Sequence, residues 1–318
     1  MSQQMLSPPV TQRRMSPLAW ALMAALASIW GASFLANRAA LADMPVSWIV
    51  ALRVAGGAAA LWAWVAALGL PVARTPRALA GFAAMGVLNN IVPFSLIVWG
   101  QRHVPSGLAG ILNASTAIFG VVVAALVFRD ERLGLRRLAG VSIGLAGVIV
   151  ALGPDALAAF DPAALGQIAI LGAAVSYACA AALGRVVFAG LRPEVAAAGT
   201  LSASALVMLP AAWALDGPPQ AGWAMTSWAA VAYLALAASA LAYVLYFRIL
   251  ALAGAGNLSL VTLLIVPVAI VLGALAYGEA LQPGDYAGFA LLALGLLVLD
   301  GRLAVWLKKA REIPHASR

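Results

Sequence analysis

Long apolar runs, broken by short polar or proline-bearing stretches, recur along the whole chain. They fall near residues 18–41, 46–70, 77–100, 106–128 and 135–153, then 164–188, 194–215, 225–250, 257–277 and 284–307. None alternates with the period of two that marks a half-buried strand, and each approaches the ~20 residues a helix needs to cross hydrocarbon. In lipid every backbone N–H and C=O must be paired within its own segment, so runs this apolar predict helices and exclude barrel strands. The pattern predicts an all-α integral membrane protein of ten transmembrane helices between polar tails at 1–17 and 308–318. The first run exceeds the 7–15 residues of a signal-peptide core, which predicts a retained helix.

Composition narrows the class. The 318 residues are 64% hydrophobic and 9% charged, with mean hydropathy +0.99, which excludes a soluble globule. A net charge of +8 would in a soluble protein suggest nucleic acid, but the placement of the cations gives another reason. With the N-terminus in the cytoplasm, all of the 19 Lys and Arg except Arg38, Arg53 and Arg102 fall on the inner side. That is the positive-inside rule, and it predicts both tails in the cytoplasm of a multi-pass membrane protein with no nucleic-acid partner. The one cysteine, Cys179, permits neither an intramolecular disulfide nor a cysteine metal site.

The two halves repeat. At a constant offset of 148, Glu131 meets Glu279, Leu133 meets Leu281, Ala139-Gly140 meets Ala287-Gly288, Gly147 meets Gly295, Val150 meets Val298 and Pro45 meets Pro193. The units are a first repeat at 18–153 and a second at 164–307. Five helices is an odd number, so the second copy enters the membrane from the opposite side. Inverted repeats of this kind place a substrate site near the bilayer midplane between the halves and open it alternately to either side. Transport is the mechanism this predicts.

The passages RDERLGLRRLAGVSIGLAGVIV from Arg129 and YGEALQPGDYAGFALLALGLLVL from Tyr277, with the opening helices SIWGASFLANRAA from Ser28 and SYACAAALGRVV from Ser176, resemble the repeat motifs of the EamA family of the drug/metabolite transporter superfamily. The resemblance covers about residues 18–305. Within that family the length and the aromatic-lined helices look most like YddG-type exporters of aromatic and other amino acids, which implies an inner-membrane exporter of amino acids or related small metabolites.

Polar groups inside spans mark the expected path. In the third run these are Asn89, Asn90, Ser95 and Trp99, with Pro93 as a hinge; its counterpart carries Ser239, Tyr243 and Tyr246. The fourth and ninth runs add Ser115, Thr116 and Thr262, with Pro267 as a second hinge, and the first and sixth add Trp30, Asn37, Ser176 and Tyr177. For any single Ser or Thr, interhelical bonding competes with a substrate role. An amino acid in a low-dielectric site needs partners for both charges: aromatic faces suit the ammonium, and Asn, hydroxyl groups or the cations Arg53 and Arg38 suit the carboxylate. Snorkelling to an interface is the competing reading for both arginines. Trp20, Trp48, Trp223, Trp228 and Trp306 read as an interfacial belt.

All 11 acidic residues fall at span ends, in loops or in tails. A carboxylate proton relay is therefore disfavoured, and uncoupled facilitated diffusion of neutral zwitterions is expected. Glu131 and Glu279 read as local caps at the turns joining their own helices. The alternatives are an exchanger of anionic metabolites, which has only Arg38 and Arg53 to use, a proton-coupled exporter, and an intramembrane enzyme. The enzyme lacks an embedded acid, base or metal ligand. No cofactor and no metal are expected. Gly140, Gly144, Gly147, Gly288 and Gly295 give the fifth and tenth helices small faces that suit packing within one chain, and a monomer is compatible with that.

Overall fold

The computed structural model describes residues 16–72, 74–128, 134–152, 162–253, 258 and 261–300. Residues 1–15 and 301–318, and with them most of both tails, Trp306 and the end of the tenth run, lie outside the described residues, as does Glu131.

Ten helices form among the described residues: α1 Pro17–Ala40, α2 Val46–Ala67, α3 Pro76–Gly100, α4 Ser106–Val127, α5 Leu135–Leu152, α6 Pro162–Val187, α7 Pro193–Asp216, α8 Met225–Ala253, α9 Val261–Tyr277 and α10 Pro283–Asp300. Seven, α1 to α4 and α6 to α8, are long and apolar enough to cross a bilayer core; α9 and most of α10 are apolar but shorter. Proline opens α1, α3, α6, α7 and α10, where the missing N–H costs nothing, and Ser16 and Thr75 cap α1 and α3 by accepting from Ala19 N and Ala78 N.

Counterpart helices of the two halves pack on each other. The start of α2 meets the end of α7, where Trp48 Nε1 donates to Gly217 O at 3.1 Å and Ser47 bonds Asp216, while further along Trp62 Nε1 donates to Ser202 Oγ at 2.7 Å. The two therefore run antiparallel. So do α5 and α10: Gly140 lies against Gly295 and Gly147 against Gly288, close enough that a Cβ at any of these positions would meet the opposite helix at 2.6 to 2.8 Å. The remaining contacts exchange in the same way, since α1 packs on α8 and α9 as α6 packs on α3 and α4.

The described loops gather at two ends. At one, Asp43 accepts from Ala224 N and Ser227 Oγ, and Glu279 reaches across to Arg38 and Ser106. At the other, Arg185 stacks over Phe128 and Phe82 meets Phe188. Two of the tryptophans expected at a lipid interface are instead buried in protein: Trp48 and Trp223 are 3% and 8% exposed and pack on each other where α2 enters and the α7–α8 loop folds over it. Trp20 is exposed.

Candidate functional site

The centre of the bundle is organised by two wide turns. Residues 87–91 of α3 and 236–241 of α8 adopt π geometry, with Val92 N bonding Val87 O and Ala242 N bonding Ala237 O, each five residues back. In that register the partner of Leu88 O is the nitrogen of residue 93, and Pro93 has no N–H to give. Ser176 Oγ of α6 supplies the donor instead, at 2.7 Å. On the other side Trp30 Nε1 of α1 donates to Ala238 O in the α8 turn at 3.1 Å, and Tyr233 OH donates to Ile29 O at 2.8 Å. A side chain from the opening helix of each half thus ties to the wide turn of the other.

These turns present the central polar groups. Asn89 Nδ2 donates to Tyr243 OH at 2.7 Å, and Asn90, fully buried, donates to Ser204 Oγ at 3.0 Å. Arg53 lies about 10 Å along α2 from its start. It is 7% exposed, so it does not snorkel to an end. Its guanidinium sits 3.7 Å over the Phe94 ring, and among the described residues its one hydrogen bond runs from Nε to Ser239 Oγ at 3.2 Å. Tyr177, Tyr233 and Tyr243 lie within its electrostatic reach. Trp30 and Tyr246 pack with ring centroids 6.0 Å apart, and Phe247 stacks on Tyr243 and meets Tyr246 edge-on. The result is one cationic fork with spare donors among aromatic faces and amides.

Other candidates sit apart. Asn37 is buried at the end of α1, bonded to Gln101, which in turn donates to Phe34 O. Trp99 lies near the end of α3 against His103. Ser115 and Thr116 donate to Leu112 O and Asn113 O of their own helix, marking a break in α4 rather than reaching across it. Ser95 and Thr262 are half-buried on α3 and α9, and Pro267 interrupts α9 on an exposed face. Arg38 is occupied: it pairs with Glu279 and lies 4.6 Å over the Tyr277 ring. Glu279 is no local cap. It accepts from Ser106 N at 2.8 Å and Ser106 Oγ at 3.1 Å, so it caps α4, a helix of the other half.

The sequence reading missed Phe94, Tyr233, Ser204 and Phe247. Ser204 stood in a run of small residues with nothing to distinguish it, while Tyr233 and the Phe94 ring were legible only as apolar bulk.

Two cavities open at opposite ends. One of about 420 Å³ is lined by Arg38, Gln101, Arg102 and His103, and one of about 210 Å³ by Pro71, Gly190 and Arg192. The central cluster lines neither. Within it Arg53, Asn90 and Ser239 are buried, while Asn89, Tyr243 and Tyr246 are half-buried.

The EamA-like transporter family matches the chain twice, at residues 18–153 and 164–299. Among curated proteins it is similar to a probable terminal-alkyne amino-acid exporter of Streptantibioticus cattleyicolor, 28% identical over 91% of this chain and 95% of that protein. It is likewise similar to a probable amino-acid metabolite efflux pump of Escherichia coli, 26% identical over 85% and 90%, and to the uncharacterized transporter YoaV of Bacillus subtilis, 21% identical over 85% and 92%. A solved crystal structure matches with a TM-score of 0.63 at 22% identity, covering 89% of this chain and 97% of that one, a likeness of fold. The chain belongs to the EamA-like transporter family, and so is a multi-pass membrane transport protein rather than an enzyme.

Proposed function

We propose that this protein exports amino acids or closely related small metabolites from the cytoplasm of a bacterium, through the central cluster and by alternating access. The observation that carries the reading is Arg53: a guanidinium 7% exposed that, among the described residues, uses one of its five donors and has no carboxylate bonded to it. Buried charges are normally paired. A substrate carboxylate completes this one, and the Trp30, Tyr243, Tyr246 and Phe247 rings take an apolar side chain.

Ten spans in two inverted halves, with both ends of the chain in the cytoplasm, support the cycle. The antiparallel α2–α7 and α5–α10 pairs and the gathering of alternate loops at each end favour that threading. Names of relatives that mention amino acids favour the substrate class. The described carboxylates stand at helix ends, which favours uncoupled movement down a gradient.

Counterflow of labelled neutral amino acids into proteoliposomes containing the purified chain tests the reading, with and without a pH gradient. Transport is expected to fall at least tenfold in Arg53→Gln and in Asn89→Ala, and less in Tyr243→Phe. Wild-type rates in Arg53→Gln at equal incorporation refute the central site, and stimulation by a pH gradient refutes uncoupled transport.

A further inference from the structure

Given the central site as proposed above, the charges around it decide which end of a substrate it reads. Arg53 is the one ionised group of the cluster; its neighbours Ser239, Phe94, Asn89 and Tyr243 are neutral. No described carboxylate hydrogen-bonds to it or pairs with it. Asp43 and Asp216 are engaged by Ser227 and Ser47 at the loop end, Glu279 is engaged by Arg38, and Glu194 and Asp285 stand in the first turns of their helices. A ligand carboxylate therefore meets a full opposite charge at short range. A ligand ammonium meets only neutral groups, ring faces, hydroxyls and amide oxygens, and it lies next to a guanidinium that repels it.

We infer that the site selects for the carboxylate and is indifferent to the ammonium, so that 2-hydroxy and 2-oxo acids with apolar side chains are carried alongside the matching amino acids. An electrical consequence separates the two groups. A zwitterion crosses without moving net charge, whereas a monoanion that neutralises Arg53 on entry and leaves on the far side moves one negative charge per cycle. A membrane potential that is negative inside drives that anion outward.

Proteoliposomes containing the full chain would be assayed by counterflow with three matched families of probes, bearing methyl, isobutyl and benzyl side chains. Each family supplies the L-amino acid, the 2-hydroxy acid and the amine that lacks a carboxylate. The expected result is competition by the hydroxy acid within about fivefold of the amino acid, and competition by the amine about a hundredfold weaker, the scale for removing one partner of a buried charge pair. Labelled 3-phenyllactate is expected to approach about a fifty-fold distribution ratio across a valinomycin potential of 100 mV, while labelled phenylalanine does not respond. Arg53→Gln removes competition by both acids, and Arg53→Lys restores part of it.

If amino acids move and hydroxy acids neither compete nor move, the ammonium is required and the inference fails while the transport reading stands. Competition by the amines equal to that of the hydroxy acids also overturns it. If hydroxy acids move and amino acids do not, carboxylate selection holds and the amino-acid reading fails. No movement of any carboxylate in the panel overturns both.

Discussion

Substituting Gly295 by alanine tests how the two halves are joined. A Cβ there would lie 2.6 Å from Gly144 N, 2.7 Å from Gly140 O and 2.8 Å from Gly144 Cα, all backbone atoms that no side-chain rotation can clear. Reaching the 3.4 Å of ordinary contact requires α5 and α10 to part by about 0.8 Å. Parting two helices along their length weakens many dispersion contacts together, and overpacking of this kind costs ~1–3 kcal/mol, more than the ~1 kcal/mol alanine gains over glycine in a helix. Gly147→Ala, whose Cβ would meet Leu292 N at 2.6 Å and Gly288 O at 2.7 Å, should behave alike. Gly120→Ala in α4 is the control, because nothing lies within 4 Å of its Cβ. Thermal unfolding of the detergent-purified chain, followed by tryptophan fluorescence, should show the first two variants melting ~2–12 °C below the third, which shares the alanine gain without the clash. If Gly295→Ala melts with Gly120→Ala, the helices are not in backbone contact and the proposed seam is wrong. A change in oligomeric state without a change in Tm would instead move the glycines to a contact between chains.

Two further perturbations follow from named bonds. Ser176→Ala leaves Leu88 O without its donor and should lower stability by ~1–2 kcal/mol, with Ser176→Thr recovering most of it in the same melting assay; an unchanged Tm in the alanine variant would show that the proline-freed carbonyl is satisfied in another way. The Ser227 hydroxyl, then the Ala224 N–H, hold the Asp43 carboxyl below its usual 3.8. Folding therefore favours the ionised form, so the stabilisation is present above about pH 4 and fades as pH falls through the lowered folded value. Melting wild type and Asp43→Asn from pH 6 to pH 3 should show the gap between them closing at the acid end, and a gap independent of pH would refute the bond.

Helices were readable from the chain because each has to satisfy its own backbone in lipid and so leaves a long apolar run between polar breaks. Pairings between helices were not. Asn89 and Tyr243 stood on runs read as counterparts of the two halves, yet nothing along the chain showed that the amide would donate to the phenol. Pro93 was visible as a disruption, but that it would widen the turn and recruit Ser176 depends on what α6 brings alongside. Glu279 looked local because its nearest helices in sequence were obvious; that the α3–α4 loop folds against it is a tertiary fact. Asn37 and Arg38 read as path residues by their depth in an apolar run, and they are held by Gln101 and Glu279 where α1 ends. Arg53 was one of two cations open to use, and only the fold shows it drawn inward and left with donors to spare.

The proline in one wide turn has no twin in the other, because position 241, its counterpart, is leucine. Tightening a π turn to α geometry removes one residue from the turn and twists everything beyond it by about 100°. In α8 every nitrogen is available for such a rewinding. In α3 Pro93 leaves one carbonyl without a backbone donor in either geometry, Leu88 O in the wide turn and Asn89 O in the α turn, and it is the first that Ser176 serves. Two halves that match the same family are thereby given unequal freedom to rewind, at the very turns where each half is tied to the opening helix of the other.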